Sequence, residues 1–159
     1  RRLLIRAAQQ KTIPIVNYND PVSDEENRKM ELAIRRSHGD QVVECVDNDE
    51  TAAVIANLVH AKKLVLMTST EGIYRDPADP KTLVEQVTAK SMEELEEKVR
   101  QLQESCVGAS RAGANGAKAK LEYALKSARQ GTMVIIGHAR HRLSDLVEGR
   151  VACTRIGLE

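Results

Sequence analysis

The stretch of residues 41–72, QVVECVDNDETAAVIANLVHAKKLVLMTSTEG, decides the fold that the sequence predicts. It opens on QVVECV, an apolar run typical of a buried strand. The next run predicts a helix from about Asp49 to Ala61, and KLVLMT predicts the next strand. The inner face of that helix is predicted to consist of Val54, Ile55, Leu58 and Val59. A strand, a helix and a strand in this order indicate a parallel sheet covered by helices.

The rest of the chain continues this alternation of helices and short apolar strands. A helix is predicted over roughly the first ten residues, a weak, solvated one from about Asp24 to Ser37, and an amphipathic one from Met92 to Leu102. A further helix follows the Gly/Ala-rich loop in GASRAGANGAKAKLEYALKSARQG and ends just before Gly131. Further strands are predicted at TIPIV, TMVIIG and VACTRI, with a turn-rich loop at STEGIYRDPADPK. The fold class that follows is α/β, a three-layer αβα sandwich with a mainly parallel sheet, in a single domain of residues 1–159.

Composition excludes several classes of function. The chain has 24 basic and 23 acidic residues and an aromatic share of 2%, unlike a dedicated nucleic-acid binder or a polybasic membrane protein. No apolar run approaches the roughly 20 residues that span a bilayer, so we expect a cytoplasmic protein without nucleic-acid or membrane partners. The three cysteines are scattered, which favours reduced thiols over a disulfide framework. RRLLIRAAQQ has the pattern of a helix but begins without a cap or a lead-in strand. We therefore expect the later part of a longer protein, incomplete at its N-terminus.

Polar segments follow the predicted strands at their carboxyl ends. NYND, DND, TSTEG and GHARH come directly after TIPIV, QVVECV, KLVLMT and TMVIIG. Since the carboxyl ends of parallel strands meet at one rim of a sheet, these four segments are predicted to converge there. Ligands of open α/β sheets bind beyond that rim. The sequence therefore predicts the functional site at the ends of these strands.

Two clusters of Asn and Asp side chains lie on the predicted rim. They consist of Asn17, Asn19 and Asp20 and of Asp47, Asn48 and Asp49. Such residues are favoured in turns and at helix N-caps, which is the simpler interpretation of each cluster alone. Together on one rim they would also bind a ligand amine and orient cationic groups around a phosphate. The residues alone leave both interpretations open.

The segment GANGAKAKL, residues 113–121, has two interpretations as well. Glycines before a helix let backbone N–H groups approach a phosphate, the helix N-terminus attracts the anion, and a lysine neutralises charge. A flexible loop with surface lysines explains the same residues. Basic side chains dominate the wider region from Arg111 to Arg142, which favours a phosphate ligand. His138 and His141, without a carboxylate or cysteine cluster beside them, are predicted as surface histidines rather than metal ligands.

Taken in order, these motifs resemble a known family. IPIVNYND, DNDETAAVIANLVHAKKLVLMTSTEGIY, GANGAKAKLEYALKSARQG and VII follow one another as in the later two thirds of an amino acid kinase domain. Within that family the chain most resembles glutamate 5-kinase, and the resemblance covers nearly the whole chain. It implies ATP-dependent phosphorylation of the side-chain carboxylate of glutamate, the first step towards proline, with Mg²⁺. It also implies a homo-oligomer that binds a small-molecule substrate.

The resemblance implies roles for individual residues. Asp49 and Lys120 would be catalytic: Asp49 would organise the cationic groups around the transferring phosphoryl group, and Lys120 would neutralise phosphate charge. Asn17, Asp20 and Asn48 would bind the amino-acid substrate. The nucleotide would contact Thr68, Ser69, Ala114, Asn115, Gly116, Ala117, Lys118, Ala119 and Lys120. No protein residue is implied as a metal ligand.

The chain departs from the family pattern within these same segments. The departures are Tyr18, Val46, Ser69, Asn115 and Ala117, where family members have Glu, Gly, Asp, Gly and Met. They lie in the predicted substrate loop and nucleotide pocket. Two alternatives therefore stay open: an enzyme of the same fold with another acyl or phosphate acceptor, and a catalytically silent subunit that binds a nucleotide or an amino acid.

Overall fold

The computed structural model describes residues 2–16, 48–105 and 116–159. The chain divides into two compact units, Arg1–Thr51 and Ala52–Glu159, and each is described by itself. The predicted strand QVVECV and the predicted helix from Asp24 to Ser37 lie outside the described residues, and the single domain stays a prediction. Among the described helices, none is long and apolar enough to cross a membrane.

The N-terminal helix α1, Arg2–Gln9, confirms the helix predicted at the start of the chain. The strand predicted at TIPIV is wrong, because residues 12–16 have no regular secondary structure. Ile13 and Ile15 are 89% and 94% exposed, and proline removes a backbone donor between them. A β-branched run forms a strand only where a neighbour pairs with its backbone and buries a face. The described residues supply no such neighbour here.

Helix α2, Asn48–Val59, begins within one residue of the predicted start. Its predicted inner stripe is wrong. The buried residues are Ala53 and Ala56, whereas Leu58 and Val59 are 42% and 39% exposed. Small side chains let a helix pack closely. In α2, Ala53 and Ala56 are buried, and the bulkier Leu58 and Val59 are exposed.

Besides the larger part of α2 and a short 3-10 helix, Pro80–Thr82, the second unit contains six strands and three α-helices among its described residues. In chain order these are β1 (Lys63–Thr68), β2 (Ile73–Tyr74), β3 (Leu83–Val84), β4 (Gln86–Ala89), α3 (Met92–Ser105), α4 (Gly116–Ala128), β5 (Met133–His138), α5 (Leu143–Glu148) and β6 (Thr154–Leu158). Strands β1, β5 and β6 confirm predictions, as do α3 and α4. The β2–β3 hairpin, strand β4 and helix α5 were not predicted, because each is short and carries little periodic signal.

The main sheet has the strand order β1-β5-β6-β4. The pairs β1/β5 and β4/β6 are parallel, and β5/β6 is antiparallel. The sheet is therefore mainly parallel, as predicted. Successive residues of β5 face opposite sides: Val134 and Ile136 belong to the core under α3 and α4, whereas Ile135 packs with Leu146 of α5. Helices thus cover both faces, which confirms the three-layer sandwich.

Two buried threonines connect the layers through hydrogen bonds. The Thr132 hydroxyl donates to the carbonyl oxygen of Ala61 at 2.7 Å, which ties the start of β5 to the segment before β1. The Thr154 hydroxyl donates to the carbonyl oxygen of Val84 at 2.7 Å and accepts from the Ile73 N–H at 2.8 Å. Thr154 therefore fixes the β2–β3 hairpin to the main sheet.

Candidate active site

The carboxyl ends of β1 and β5 meet at one rim of the sheet. Thr68 and His138 are partners in the parallel register, and the N–H of Ala139 donates to the Thr68 carbonyl oxygen at 2.8 Å. TSTEG and GHARH therefore converge as predicted. We call residues 68–72 and 138–141 together the β1–β5 rim. NYND, with Asn17 and Asp20, and Asp47 of the DND segment lie outside the described residues.

The N-terminal end of α4 reaches the same rim. The helix packs on β5 and β6, and the chain reverses direction in the short link of residues 129–132 before β5. A helix that runs antiparallel to the following strand begins where that strand ends. Gly116 opens the helix with φ 58°, in the left-handed region that glycine adopts without strain. The structure thus brings Gly116–Lys120 to the rim that carries Thr68 and Ser69.

The side chains of this first turn divide between core and solvent. Ala117 packs against the core, and Lys118 is exposed. Lys120 is half-buried. The carbonyl oxygen of Lys118 accepts a hydrogen bond from the Gln103 side chain at 2.9 Å, which fixes the start of α4 to α3. The N–H groups of a helix start and a nearby lysine suit an anionic group. Ala114 and Asn115 lie outside the described residues.

Asn48 and Asp49 open helix α2. Asn48 is exposed, Asp49 is half-buried, and Glu50 follows in the same turn. Carboxylates in the first turn are favoured by the partial positive charge of the helix N-terminus. The start of a helix at this cluster is confirmed, whereas its capping role stays a prediction. Its ligand role stays a prediction.

Glu71 is the rim residue that the sequence did not single out. Its carboxylate contacts His141 Nε2 at 2.6 Å through one oxygen and the Arg140 guanidinium through the other. His141 is 20% exposed and Glu71 only 16%. His141 is therefore not a simple surface histidine, and a carboxylate does accompany it. The sequence TSTEG shows that Glu71 follows a strand. The identity of the residues that Glu71 contacts depends on the pairing of β1 with β5.

His138 organises the turn that carries these partners. Its Nδ1 accepts the Arg140 N–H at 3.0 Å, and its carbonyl oxygen accepts the His141 N–H at 3.1 Å. The two imidazole rings lie edge to face with centroids 6.3 Å apart. Within the described ranges, no group of three or more His, Cys, Asp or Glu side chains is arranged to hold a metal ion. This cluster is accordingly a hydrogen-bonded support.

A cavity of about 390 Å³ lies at β4, the opposite edge of the sheet from β1. Its lining is mostly polar: Arg75, Val84, Gln86, Val87, Thr88, Lys98, Gln101, Leu102 and Glu159. None of the predicted site residues belongs to this lining. The β1–β5 rim with the start of α4 is therefore the better candidate for the active site.

A comparison with protein families gives a match over most of the chain. The model of the amino acid kinase family matches residues 1–138. The chain belongs to the amino acid kinase family.

Two individual proteins show which members of the family this chain is similar to. The chain is similar to a glutamate 5-kinase from Geobacillus kaustophilus, 33% identical over 149 residues, which cover 92% of this chain and 34% of that protein. An acetylglutamate kinase from Methanopyrus kandleri is 46% identical over 59 residues, which cover 37% of this chain and 24% of that protein. The chain thus spans about a third of the length of the glutamate 5-kinase that it matches.

A solved structure supports the fold. Carbamate kinase from Giardia lamblia bound to AMP-PNP superposes with a TM-score of 0.53 and 19% sequence identity. The match covers 71% of this chain and 32% of the carbamate kinase chain. It identifies the architecture as that of the amino acid kinase fold, of which this chain carries a part.

Proposed function

We propose that the chain takes part in ATP-dependent phosphorylation of a small-molecule carboxylate, with glutamate as the acceptor and glutamyl 5-phosphate as the product. The observation that carries this proposal is the meeting of the β1 and β5 ends at one rim, with the glycine-led start of α4 directed toward the same end of the sheet. It occurs in a chain that matches glutamate 5-kinase over 92% of its length. A rim with helix N–H groups, lysines and hydroxyls suits a nucleotide phosphate chain.

The proposed roles follow the family pattern. Thr68, Ser69 and the segment of residues 114–120 would bind ATP, with Lys120 neutralising the charge of the transferring group. Asp49 would organise the cationic groups around it. The acceptor would be bound by Asn17, Asp20 and Asn48. Lys120 and the residues around it open a helix at the rim, where the dipole favours an anion.

The chemistry needs little from the protein beyond positioning and charge neutralisation. A glutamate side chain has a pKa of about 4.3 and is already ionised at neutral pH, so no general base is required. The carboxylate oxygen forms a bond to the γ-phosphorus of ATP while the bond from that phosphorus to the bridging oxygen breaks, releasing ADP. Holding the two reactants in line and neutralising the phosphate oxygens is the task of Lys120 and the α4 N-terminus.

Mg²⁺ is proposed as the second cofactor. It would neutralise the charge on the phosphate oxygens when bound. In proteins Mg²⁺ takes few carboxylates and relies on water and substrate phosphates. That habit fits the first turn of α2, where Asp49 offers a half-buried carboxylate. Asp49 is proposed to organise the cationic groups around the phosphates, Mg²⁺ among them.

N-acetylglutamate is the second candidate acceptor. The match to an acetylglutamate kinase is short, 59 residues, but at 46% identity it is higher than the 33% to glutamate 5-kinase. Tyr18 and Val46 also depart from the glutamate 5-kinase pattern in the predicted substrate loop. A silent subunit that binds nucleotide or amino acid without turnover is the remaining alternative.

The test is ADP release by the full chain with ATP, Mg²⁺ and either glutamate or N-acetylglutamate. Lys120→Ala and Asp49→Asn are expected to reduce kcat by about 10²-fold or more, because each removes charge stabilisation of the transition state. Lys126→Ala is the matched control, since Lys126 lies on the same helix and pairs with Glu122 at 2.9 Å. Turnover that survives both site variants contradicts the assignment. Binding of ADP without turnover favours the silent subunit.

A further inference from the structure

The loop of residues 68–73 is attached to its neighbours at both ends. At its start the Thr68 carbonyl oxygen accepts from the Ala139 N–H at 2.8 Å. At its end the Ile73 N–H donates to the buried hydroxyl of Thr154 at 2.8 Å. A side chain on Gly72 would collide with this threonine, since a Cβ there would lie 2.3 Å from Oγ1 and 2.9 Å from the backbone nitrogen. The loop therefore cannot shift toward β6.

Glu71 supplies a third attachment between these two ends. Its carboxylate accepts from Arg140 and contacts His141 Nε2 at 2.6 Å, so both oxygens are engaged by the turn after β5. Glu71 is only 16% exposed, whereas Arg140 is 63% exposed, so the contact with His141, itself 20% exposed, is the better shielded of the two. Shielded, charge-assisted contacts are stronger than exposed surface pairs.

The turn that receives Glu71 is itself fixed. The Arg140 N–H and the His141 N–H both donate to His138, at 3.0 Å to Nδ1 and 3.1 Å to the carbonyl oxygen. The backbone that carries both partners of Glu71 is therefore preformed. Preformed supports lose less conformational entropy when the contact forms.

These attachments determine which side chains of the loop face solvent. Ser69 and Thr70 are exposed, and the Thr70 hydroxyl donates back to the Gly72 carbonyl oxygen at 3.0 Å. Ser69 is thus presented outward beside Thr68, at the rim that also carries the start of α4. We propose that Glu71 is a positioning residue: through Arg140 and His141 it holds Thr68 and Ser69 in the conformation that binds the nucleotide. This inference rests on the proposed function, in which those two residues contact ATP.

The proposal predicts a loss of nucleotide affinity rather than of chemistry. Glu71→Ala in the full chain should raise the Kd for ADP with Mg²⁺ about tenfold or more, by loss of charge-assisted contacts that order the loop. The KM for ATP should rise similarly, with kcat changed by less than about threefold, because the effect is on ground-state binding. Glu71→Gln, which keeps the shape and one acceptor, should recover part of the affinity. Kd is measured by isothermal titration calorimetry.

A matched variant separates positioning from general stability. Glu96 also pairs with an arginine of another element, Arg129, at 2.8 Å, but it lies on α3. Glu96→Ala should leave the Kd for ADP unchanged. His141→Ala should raise the Kd, and the double variant with Glu71→Ala should be no worse than the poorer single variant, because the two residues act as one unit.

The outcomes are distinct. A wild-type chain that does not bind ADP overturns the proposed function and this inference with it. A wild-type chain that binds ADP while Glu71→Ala and Glu71→Gln bind it equally well overturns this inference alone. If Glu71→Ala does not fold, as judged by circular dichroism, the Kd of Glu71→Gln decides: an unchanged value contradicts the positioning role, and an increased one supports it.

Discussion

The α3–α4 layer and the β1–β5 rim are organised by different forces. In the layer, Leu95, Val99 and Leu121 are at most 1% exposed, and the charged side chains pair on the solvent side. At the rim and at the β2–β3 hairpin that follows it, the decisive contacts are polar: Glu71 contacts Arg140 and His141, and Thr154 bonds to the hairpin. The layer thus resists unfolding through apolar area, whereas the rim fixes the conformation of loops.

This difference shows where stability and function separate. The free energy gained by burying apolar area depends mainly on the size of that area and little on direction. Hydrogen bonds and ion pairs have strict geometry, so the rim contacts select one loop conformation. Changes in the layer are therefore expected to move the free energy of unfolding most, and changes at the rim to move local order and ligand binding.

The largest change in the free energy of unfolding is expected for variants of the α3–α4 layer. Leu95→Ala removes a side chain that is 0% exposed in the core, and we expect the free energy of unfolding to fall by about 2–5 kcal/mol. Leu143→Ala is the control, because Leu143 is 56% exposed on α5. Urea unfolding monitored by circular dichroism measures both. If the two variants lost equal stability, the apolar core would not be the main support of the layer.

An intermediate effect is expected at Thr154. Thr154→Val keeps the shape but leaves the Ile73 N–H and the Val84 carbonyl oxygen without their buried partner, at a cost of about 1–3 kcal/mol. Thr154→Ser retains the hydroxyl and should keep the protection of the Ile73 amide against hydrogen exchange. Hydrogen exchange and urea unfolding together test this. An Ile73 amide that stays protected in Thr154→Val would contradict the assigned bond.

The smallest change in stability is expected for variants of the exposed charged residues of α3. The hydrogen bond from Lys98 and that from the Lys90 N–H lower the pKa of Glu94 below its ordinary value of 4.5. A carboxyl whose pKa is lowered by folding stabilises the fold above its unfolded-state pKa, and that contribution disappears as the pH falls through the folded-state pKa. Glu94→Gln should therefore be slightly less stable than wild type at neutral pH and equally stable in acid.

Urea midpoints measured from neutral pH to well below 4.5 test this dependence. In a Lys98→Met background, Glu94→Gln should have little remaining effect on the midpoint, because Lys98 provides the largest cause of the pKa shift. If Glu94→Gln lowered stability more than Thr154→Val does, the order of effects proposed for the two regions would be reversed. Exposed ion pairs contribute little to stability.

Prediction from the sequence succeeded where the signal was local and strong. KLVLMT is β1 as predicted, and the apolar spacing from Met92 gave the start of α3. It failed at TIPIV, which has strand-forming residues but no partner strand among the described residues. It also failed on the inner face of α2, where alanines are buried instead of the larger residues. The residues of a segment favour one type of secondary structure, but tertiary contacts decide whether the segment adopts it.

The candidate site was predictable only in part, for the same reason. TSTEG, GHARH and the glycine-led start of α4 could be placed at one rim because parallel strands end together. The contact of Glu71 with His141 joins residues 70 positions apart and is invisible to any periodic pattern. The antiparallel direction of β6 beside β5 was equally out of reach, since alternation of apolar residues is the same in either direction.

By itself, the sequence determined the helices with strong periodicity, the strands β1 and β5, and the family motifs that connect them. These depend on interactions between residues close along the chain. Only the tertiary structure decided which polar groups meet: Glu71 with Arg140 and His141, and Thr154 with the hairpin. Such contacts form after distant strands have paired, and their strict geometry then fixes the loops at the rim.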